Sequence, residues 1–275
     1  MQNFNYHSHT YRCRHADLDY SDEDYIKEYI KNGIKKIAIT DHAPEKRKID
    51  KRLNMRMDYY EKDEYLESIN KLRIKYKDKI SIESGFEIEY LPFEEDNIFE
   101  LKNECDKLIL GQHFIYDDDY NLKIFGKTTF TDKEIIRYKD YLVKAMELSI
   151  PNIIAHPDIF MYNRTFSKVE EDITREICKS CIKYNIPLEI NLNNIYYRVF
   201  RNKTSSIDNN FNTVVYPNKD FWKIVSEYNV KVLYGIDAHH KRQISLFNEL
   251  VSIANTIIGE DTINKLNFID NMEEI

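Results

Sequence analysis

The chain has only four cysteines, Cys13, Cys105, Cys178 and Cys181, in 275 residues, so no disulfide framework organises it. Cys178 and Cys181 have C-x-x-C spacing. They lie inside a helical pattern running from Glu170 to Tyr184, with no second Cys or His pair nearby, and helix packing is their expected role. No apolar run reaches the roughly 18 residues of a membrane-crossing helix, and no charged-then-apolar leader opens the sequence. A cytoplasmic protein with no membrane partner is therefore expected. A surplus of positive charge is also lacking: 47 acidic residues face 40 basic ones, for a net charge of −7. Nucleic acid finds no overall basic field here, and an anionic substrate would need local positive charge from metal ions or a few arginines. No low-complexity tract or Pro-, Gly- or Ser-rich linker divides the chain. At 42% hydrophobic residues, 1–275 is expected to form a single domain.

What is present is a repeated pattern: a short apolar run, a polar or histidine-bearing turn, then a helical stretch. Strands are expected at Asn3–His7, Lys35–Thr40, Ile80–Phe86, Lys107–Gly111, Asn152–Ala155, Pro187–Asn191 and Lys231–Ile236. Helices are expected at Asp22–Asn32 (with Ser21 as N-cap and Gly33 as stop), Glu61–Tyr76, Thr131–Leu148, Lys168–Tyr184, Lys219–Tyr228 and Ser245–Ile258. Between them lie a charged loop before Glu61, a polar stretch Tyr116–Thr131 with Asp117–Asp119 as solvated loop residues, and a long polar loop Asn193–Asn218. Alternating strands and helices imply parallel β-α units, and seven of them suggest a barrel rather than an open sheet.

The chemistry is in the positions of the histidines. His7 and His9, spaced i, i+2 on an extended segment, project from one face and could begin a metal site. An isolated pair of this kind is equally what two unrelated histidines would give. All eight histidines of the chain, however, fall at or just past the C-terminal ends of expected strands: His7, His9, His15, His42, His113, His156, His239 and His240. Glu87 and Asp237 fall there too. That end of a β/α barrel is where active sites are built, and this sorting points to a multi-histidine metal site. Cys13, between His9 and His15, is taken as a bystander, and His240 as a non-ligand.

These residues resemble the PHP (polymerase and histidinol phosphatase) superfamily. The matching pieces are His7-Ser8-His9, His15, Thr40-Asp41-His42, Gly85-Phe86-Glu87-Ile88-Glu89-Tyr90, His113, Ala155-His156-Pro157-Asp158 and Asp237-Ala238-His239, in the family's order. Within it the text is most similar to the stand-alone histidinol-phosphatases. The resemblance implies a distorted (β/α)7 barrel holding three divalent metal ions. His7, His9, Glu87 and Asp237 would hold the first; Glu87, His113 and His156 the second, with Glu87 bridging; His15, His42 and His239 the third. Two departures are Ile236, where the family often has Ser, and the loop Leu192–Arg198, where a small-residue turn before the arginine is more usual.

Imidazole and carboxylate ligands without thiolate suit zinc, manganese or iron. A pair of cations sharing a carboxylate would supply hydroxide near neutral pH for in-line attack on a phosphomonoester. Glu87, Asp237 and His239 are the candidate catalytic residues. Arg198 and Arg164, on loops after strand ends, could grip phosphate or be ordinary surface arginines. Asp41 and Asp158, each beside a ligand histidine, could orient it or cap a helix. Glu89 shares a strand face with Glu87, so the two could exchange roles. The expected activity is hydrolysis of L-histidinol phosphate in histidine biosynthesis. The alternatives are another phosphoester, such as phosphotyrosine protein or a nucleotide, and a metal-storing or regulatory protein with an inert site.

Overall fold

The structure, a computed structural model, describes residues 2–46, 54–201 and 211–269. Eight strands form one parallel sheet: β1 (Phe4–Asn5), β2 (Lys36–His42), β3 (Ser81–Ile88), β4 (Lys107–Leu110), β7 (Ile153–Ile154), β8 (Leu188–Asn191), β9 (Lys231–Gly235) and β10 (Asn267–Phe268), in that order. A separate antiparallel hairpin, β5 (Phe114–Tyr116) and β6 (Leu122–Ile124), follows β4. The helices are α1 (Asp22–Lys31), α2 (Lys62–Tyr76), α3 (Glu95–Glu104), α4 (Asp132–Glu147), α5 (Lys168–Tyr184), α6 (Asn193–Ile195), α7 (Lys219–Val225), α8 (Lys241–Ser245), α9 (Phe247–Ile258) and α10 (Glu260–Ile263). Helices α1, α4 and α5 start at Ser21, Thr131 and Ser167, each in a capping box with the acid three residues on.

The seven expected strands all form and make the expected α/β barrel, with a short eighth strand added at its end. That strand, β10, is a two-residue pairing with the lower end of β9, too short to carry a period. Helix α3 and the β5–β6 hairpin were not expected: β6 lies in the stretch Tyr116–Thr131 expected to be loop, and β5 begins just ahead of it at Phe114. Within the expected loop 193–218, α6 runs into a wide turn at Tyr196–Arg201, and residues 202–210 lie outside the described residues. Strand β1 stops at Asn5 because a side chain replaces the next rungs of its ladder. The Thr40 hydroxyl donates to the Tyr6 carbonyl at 3.1 Å and accepts from the Ser8 amide at 3.2 Å.

Period-two alternation divides each strand between two cores. Outward residues such as Ile37, Ile39, Phe86, Leu108, Leu110, Ile190 and Val232 join the large cluster beneath the helices. Inward residues form a small apolar plug of Phe4, Tyr6, Ala38, Ile109, Ile153, Ala155, Leu233 and Ile269. Above that plug the inward positions become polar: His42 on β2, Glu87 on β3, Glu189 and Asn191 on β8.

The ring closes between the end of β1 and the end of β9. Ser8 bridges Ala238, and the His9 amide donates to the Ala238 carbonyl at 2.9 Å. Asn5 supports this seam from outside the regular ladder. Its oxygen accepts the Ile236 amide at 2.9 Å, and its nitrogen donates to the His7 carbonyl at 2.8 Å and approaches the Tyr29 hydroxyl at 2.9 Å. Asn5 is fully buried, so removing its amide strands several polar groups away from water. Asn5→Ala is expected to lower the unfolding free energy by about 2 kcal/mol or more. Denaturant melts with an unchanged slope would measure it, and a loss under about 0.5 kcal/mol would show that the seam does not depend on Asn5.

Candidate metal centre

The nine residues expected to ligate metal converge at the C-terminal mouth of the barrel, around Glu87. Glu87 projects inward from β3. Its Oε1 lies 2.9 Å from His156 Nε2, 3.4 Å from His7 Nε2 and 3.5 Å from His113 Nε2. Its Oε2 lies 2.9 Å from His42 Nδ1 and 3.5 Å from His9 Nε2. One carboxylate thus faces two groups of imidazoles, one on each oxygen. Asp237 Oδ1 stands 3.1 Å from His9 Nε2, 3.2 Å from His239 Nδ1 and 3.5 Å from His7 Nε2. The His15 ring, at the exposed rim, is centred 4.4 Å from His239 and 5.4 Å from His42.

The backbone bends to aim these groups. His156 and Asp237 take positive φ, 30° and 51°, immediately past β7 and β9. Non-glycine residues there store about 1–3 kcal/mol of strain, a pattern concentrated at functional sites. Two inward glycines make room for the acids. A Cβ on Gly111 would sit 1.8 Å from Glu87 Oε1, and one on Gly235 would sit 1.6 Å from Glu189 Oε1.

The hydrogen bonds turn bare nitrogens toward the centre. His239 Nδ1 lies 3.1 Å from the Asp237 carbonyl, and His15 Nδ1 2.6 Å from the Cys13 carbonyl. A carbonyl can only accept, so Nδ1 carries the proton and Nε2 offers its lone pair. Carboxylates do the same for two others: Glu189 Oε1 is 2.8 Å from His7 Nδ1, and Glu89 Oε1 is 2.9 Å from His113 Nδ1. An acceptor fixing one ring nitrogen while the other faces inward is the arrangement that metal-ligating histidines adopt.

Burial alone would push Glu87 and Asp237 up, but the surrounding histidines hold both well below the usual carboxylate range. In return, these carboxylates outweigh the effect of burial on His7, which is raised well above its ordinary value, and on His9, raised to about 9. Burial and the neighbouring rings hold His42 and His239 down. The rings and carboxylates are thus strongly coupled, with His7 and His9 shifted toward the protonated form and His42 and His239 away from it. The test of fit is in the orphaned atoms. His7 Nε2, both nitrogens of His9, His42 Nδ1, His239 Nε2, Glu87 Oε2 and Asp237 Oδ1 are buried without a hydrogen-bond partner. Unpaired buried polar atoms of this kind are rare. Here they face one another, in groups such as His9–His42–His239 and His7–His9–Glu87 whose ligand atoms lie within 4.8 Å. The residues present fit bound cations.

The other expected site residues are distributed differently. Arg198 is exposed on the turn after β8, and its positive charge acts on the nearby Tyr162 hydroxyl. Arg164 requires a correction: Nε binds Glu170 at 2.6 Å, Nη2 binds Asp132 at 2.5 Å, and Nη1 binds the Phe130 carbonyl at 2.5 Å. Those bonds commit its guanidinium to tying α5 to the start of α4, so it is not free to grip a ligand. Asp41 holds the Thr10 amide at 2.9 Å and stands 3.7 Å from His9 Nδ1, beyond hydrogen-bond reach. Asp158 sits at the N-cap position of the helical turn Ile159–Met161, but its carboxylate makes no capping bond; it accepts from Asn218 N at 2.6 Å and Trp222 Nε1 at 3.0 Å. His240 points away from the cluster, between Asp17 at 2.5 Å and Arg201 at 2.6 Å. Cys13 Sγ, expected as a bystander, is within 4.8 Å of ligand atoms of His15 and His239. The Cys178–Cys181 pair is buried in α5, with burial pushing both thiols up.

Glu189, Asn191 and Asn193 were not anticipated. Asn191 and Asn193 donate to Asp237 Oδ2 at 3.2 and 3.0 Å, leaving Oδ1 toward the histidines. A signal for Glu189 existed, since an acid at an inward strand-end position parallels Glu87. Glu89 lies 2.9 Å from His113 Nδ1 and within reach of a His42–Glu89–His113 group, but Glu87 faces five imidazoles, so Glu87→Gln should reduce bound divalent metal more than Glu89→Gln. Gly111→Ala should act like Glu87→Gln because its Cβ displaces that carboxylate. Elemental analysis of the purified variants checks this, and greater metal loss from Glu89→Gln would reverse the two roles.

Comparison with known proteins places the chain's family and fold. The PHP domain family model matches residues 5–193. The histidinol-phosphatase of Bacillus subtilis (strain 168) is 29% identical over 144 residues, a match that spans 50% of this chain and 53% of that protein. A solved structure from Listeria monocytogenes superposes with a TM-score of 0.72 at 20% identity, covering 88% of this chain and 97% of that one. The histidinol phosphate phosphatase of Lactococcus lactis, solved with zinc, L-histidinol and phosphate, gives a TM-score of 0.63 at 19% identity over 92% of this chain and 94% of that one. The family match runs from β1 to the first residue of α6 and takes in seven of the nine candidate ligands, with Asp237 and His239 beyond it, and on this basis the chain belongs to the PHP domain family.

Proposed function

We propose that this chain is a metal-dependent phosphomonoesterase and that its substrate is L-histidinol phosphate, hydrolysed to L-histidinol and phosphate in histidine biosynthesis. The observation that carries the reading is the set of buried imidazole nitrogens and carboxylate oxygens that face one another without partners. His7, His9, Glu87 and Asp237 would hold one ion, Glu87, His113 and His156 a second, and His15, His42 and His239 a third, with zinc, manganese or iron suited to these donors. Such ions provide hydroxide near neutral pH and neutralise phosphoryl oxygens.

The chain's own residues supply orientation and selectivity. Glu189 and Glu89 keep the protons of His7 and His113 on the outer nitrogens. Asn191 and Asn193 restrain Asp237. Glu87, Asp237 and His239 form the catalytic set; the last two are the candidates for handling the proton of the leaving alkoxide. Arg198, next to Tyr162, is the proposed phosphate grip. The substrate assignment draws on the Bacillus subtilis relative's name and on the ligands of the Lactococcus lactis protein. An acidic chain of net charge −7 suits a small substrate carrying ammonium and imidazole better than a nucleic acid. No helix among the described residues is long and apolar enough to cross a membrane.

A phosphate-release assay over a panel of phosphomonoesters tests this reading. Histidinol phosphate should exceed p-nitrophenyl phosphate in kcat/KM despite the better leaving group of the aryl ester, because only binding of the amino-imidazole portion can reverse that order. Faster turnover of the aryl ester would favour phosphotyrosine or another phosphoester as substrate, and no turnover of any would favour an inert metal-binding protein. Arg198→Met is expected to lower kcat/KM for histidinol phosphate by at least about 30-fold, roughly 2 kcal/mol, with metal content intact. An effect under about threefold would remove Arg198 from the substrate site.

A further inference from the structure

We propose that Arg56 is a positioning residue that acts through Glu89 to fix the ring of His113, and so sets the occupancy of one metal subsite. The proposal rests on the metal reading above and adds a residue outside its ligand set. Arg56 precedes α2, and its side chain is only 8% exposed. Its two terminal nitrogens meet the two oxygens of Glu89 as a fork, Nη1 to Oε2 at 3.1 Å and Nη2 to Oε1 at 3.3 Å. Nη1 also donates to the Ala43 carbonyl at 3.1 Å and pairs with Glu45 at 2.9 Å. Glu89 Oε1 in turn lies 2.9 Å from His113 Nδ1, and His113 Nε2 faces Glu87 Oε1 at 3.5 Å.

The chemistry runs one way along this line. A guanidinium stays charged and can only donate. Glu89 is therefore held as an acceptor, the proton of His113 sits on Nδ1, and Nε2 presents its lone pair to Glu87 and the centre. His113 has more need of this than His7. His7 is 1% exposed and its carboxylate, Glu189, is fixed by the His156 amide at 3.0 Å and Asn191 at 2.8 Å. His113 is 19% exposed, on the short link between β4 and β5, and depends on a carboxylate anchored by Arg56. The fork also ties the segment after β2, through Ala43 and Glu45, to the mouth of the barrel.

The test is competition of the full-length protein with a chromophoric chelator, using zinc as the probe, to resolve the dissociation constants of the individual ions. Arg56→Met should weaken one ion by about 10–100-fold, the usual effect of losing such an outer partner, and leave the others within about threefold. Arg56→Lys, which keeps the charge without the fork, should recover part of the loss. Glu89→Gln, isosteric, should weaken the same ion as His113→Ala and carries the test should Arg56→Met not fold. Unchanged constants in Arg56→Met and Glu89→Gln, or uniform weakening of every ion along with a lower Tm, would overturn the proposal. A wild-type protein that binds no zinc would overturn the metal reading itself, which separates the two failures.

Discussion

Glu87 puts a carboxylate, 1% exposed, at the centre of the barrel mouth, with histidines on both oxygens. An ionised carboxylate taken out of water costs several kcal/mol unless its charge is met. Imidazoles crowd around it, with ring centroids 4.1 to 6.1 Å apart. The outcome is a site of buried nitrogens and carboxylate oxygens without hydrogen-bond partners, a donor set suited to cations. Much of the nearby sequence is intelligible as a means of keeping that site open. Gly111 leaves the space that Glu87 fills, and the positive φ of His156 and Asp237 turns both residues in at the ends of their strands.

The centre is held by a ring of outer contacts more than by its inner residues. Glu189, Glu89 and the carbonyls of Cys13 and Asp237 each bind one nitrogen of a histidine and so decide which nitrogen faces inward. The apolar plug below, from Phe4 to Ile269, separates this polar layer from the far end of the barrel. Closure depends on the same first segment that carries His7 and His9: Asn5 and Ser8 join it to the end of β9, which carries Asp237 and His239. The barrel's closing seam and its chemical centre therefore share the same two segments, joined by a buried amide.

The sequence made the strands and their ends legible because period-two apolar runs recur between amphipathic helices, and because every histidine fell beyond such a run. The ligand candidates followed from that sorting, and the family resemblance divided them into groups. What it did not reveal were features without a period. Strand β10 pairs through only two residues, the β5–β6 hairpin is built in a polar stretch, and α3 stands where no cap marked its start. Arg164 stayed open between two roles because a loop arginine after a strand end looks the same whether it faces a ligand or, as here, Glu170 and Asp132. Arg56 left no trace in the sequence: its partner Glu89 is distant along the chain and their meeting is purely tertiary. Asp158 was read as a neighbour of His156, yet its carboxylate turns toward Trp222.

The central claim is that the cluster around Glu87 holds divalent cations, and the most direct measurement is metal stoichiometry. Wild-type protein expressed with supplementary zinc or manganese and freed of loose ions should carry about two to three ions per chain by elemental analysis. Metal counts below about one per chain after the same treatment would contradict the account, since the buried atoms around Glu87 would then be balanced by something other than metal.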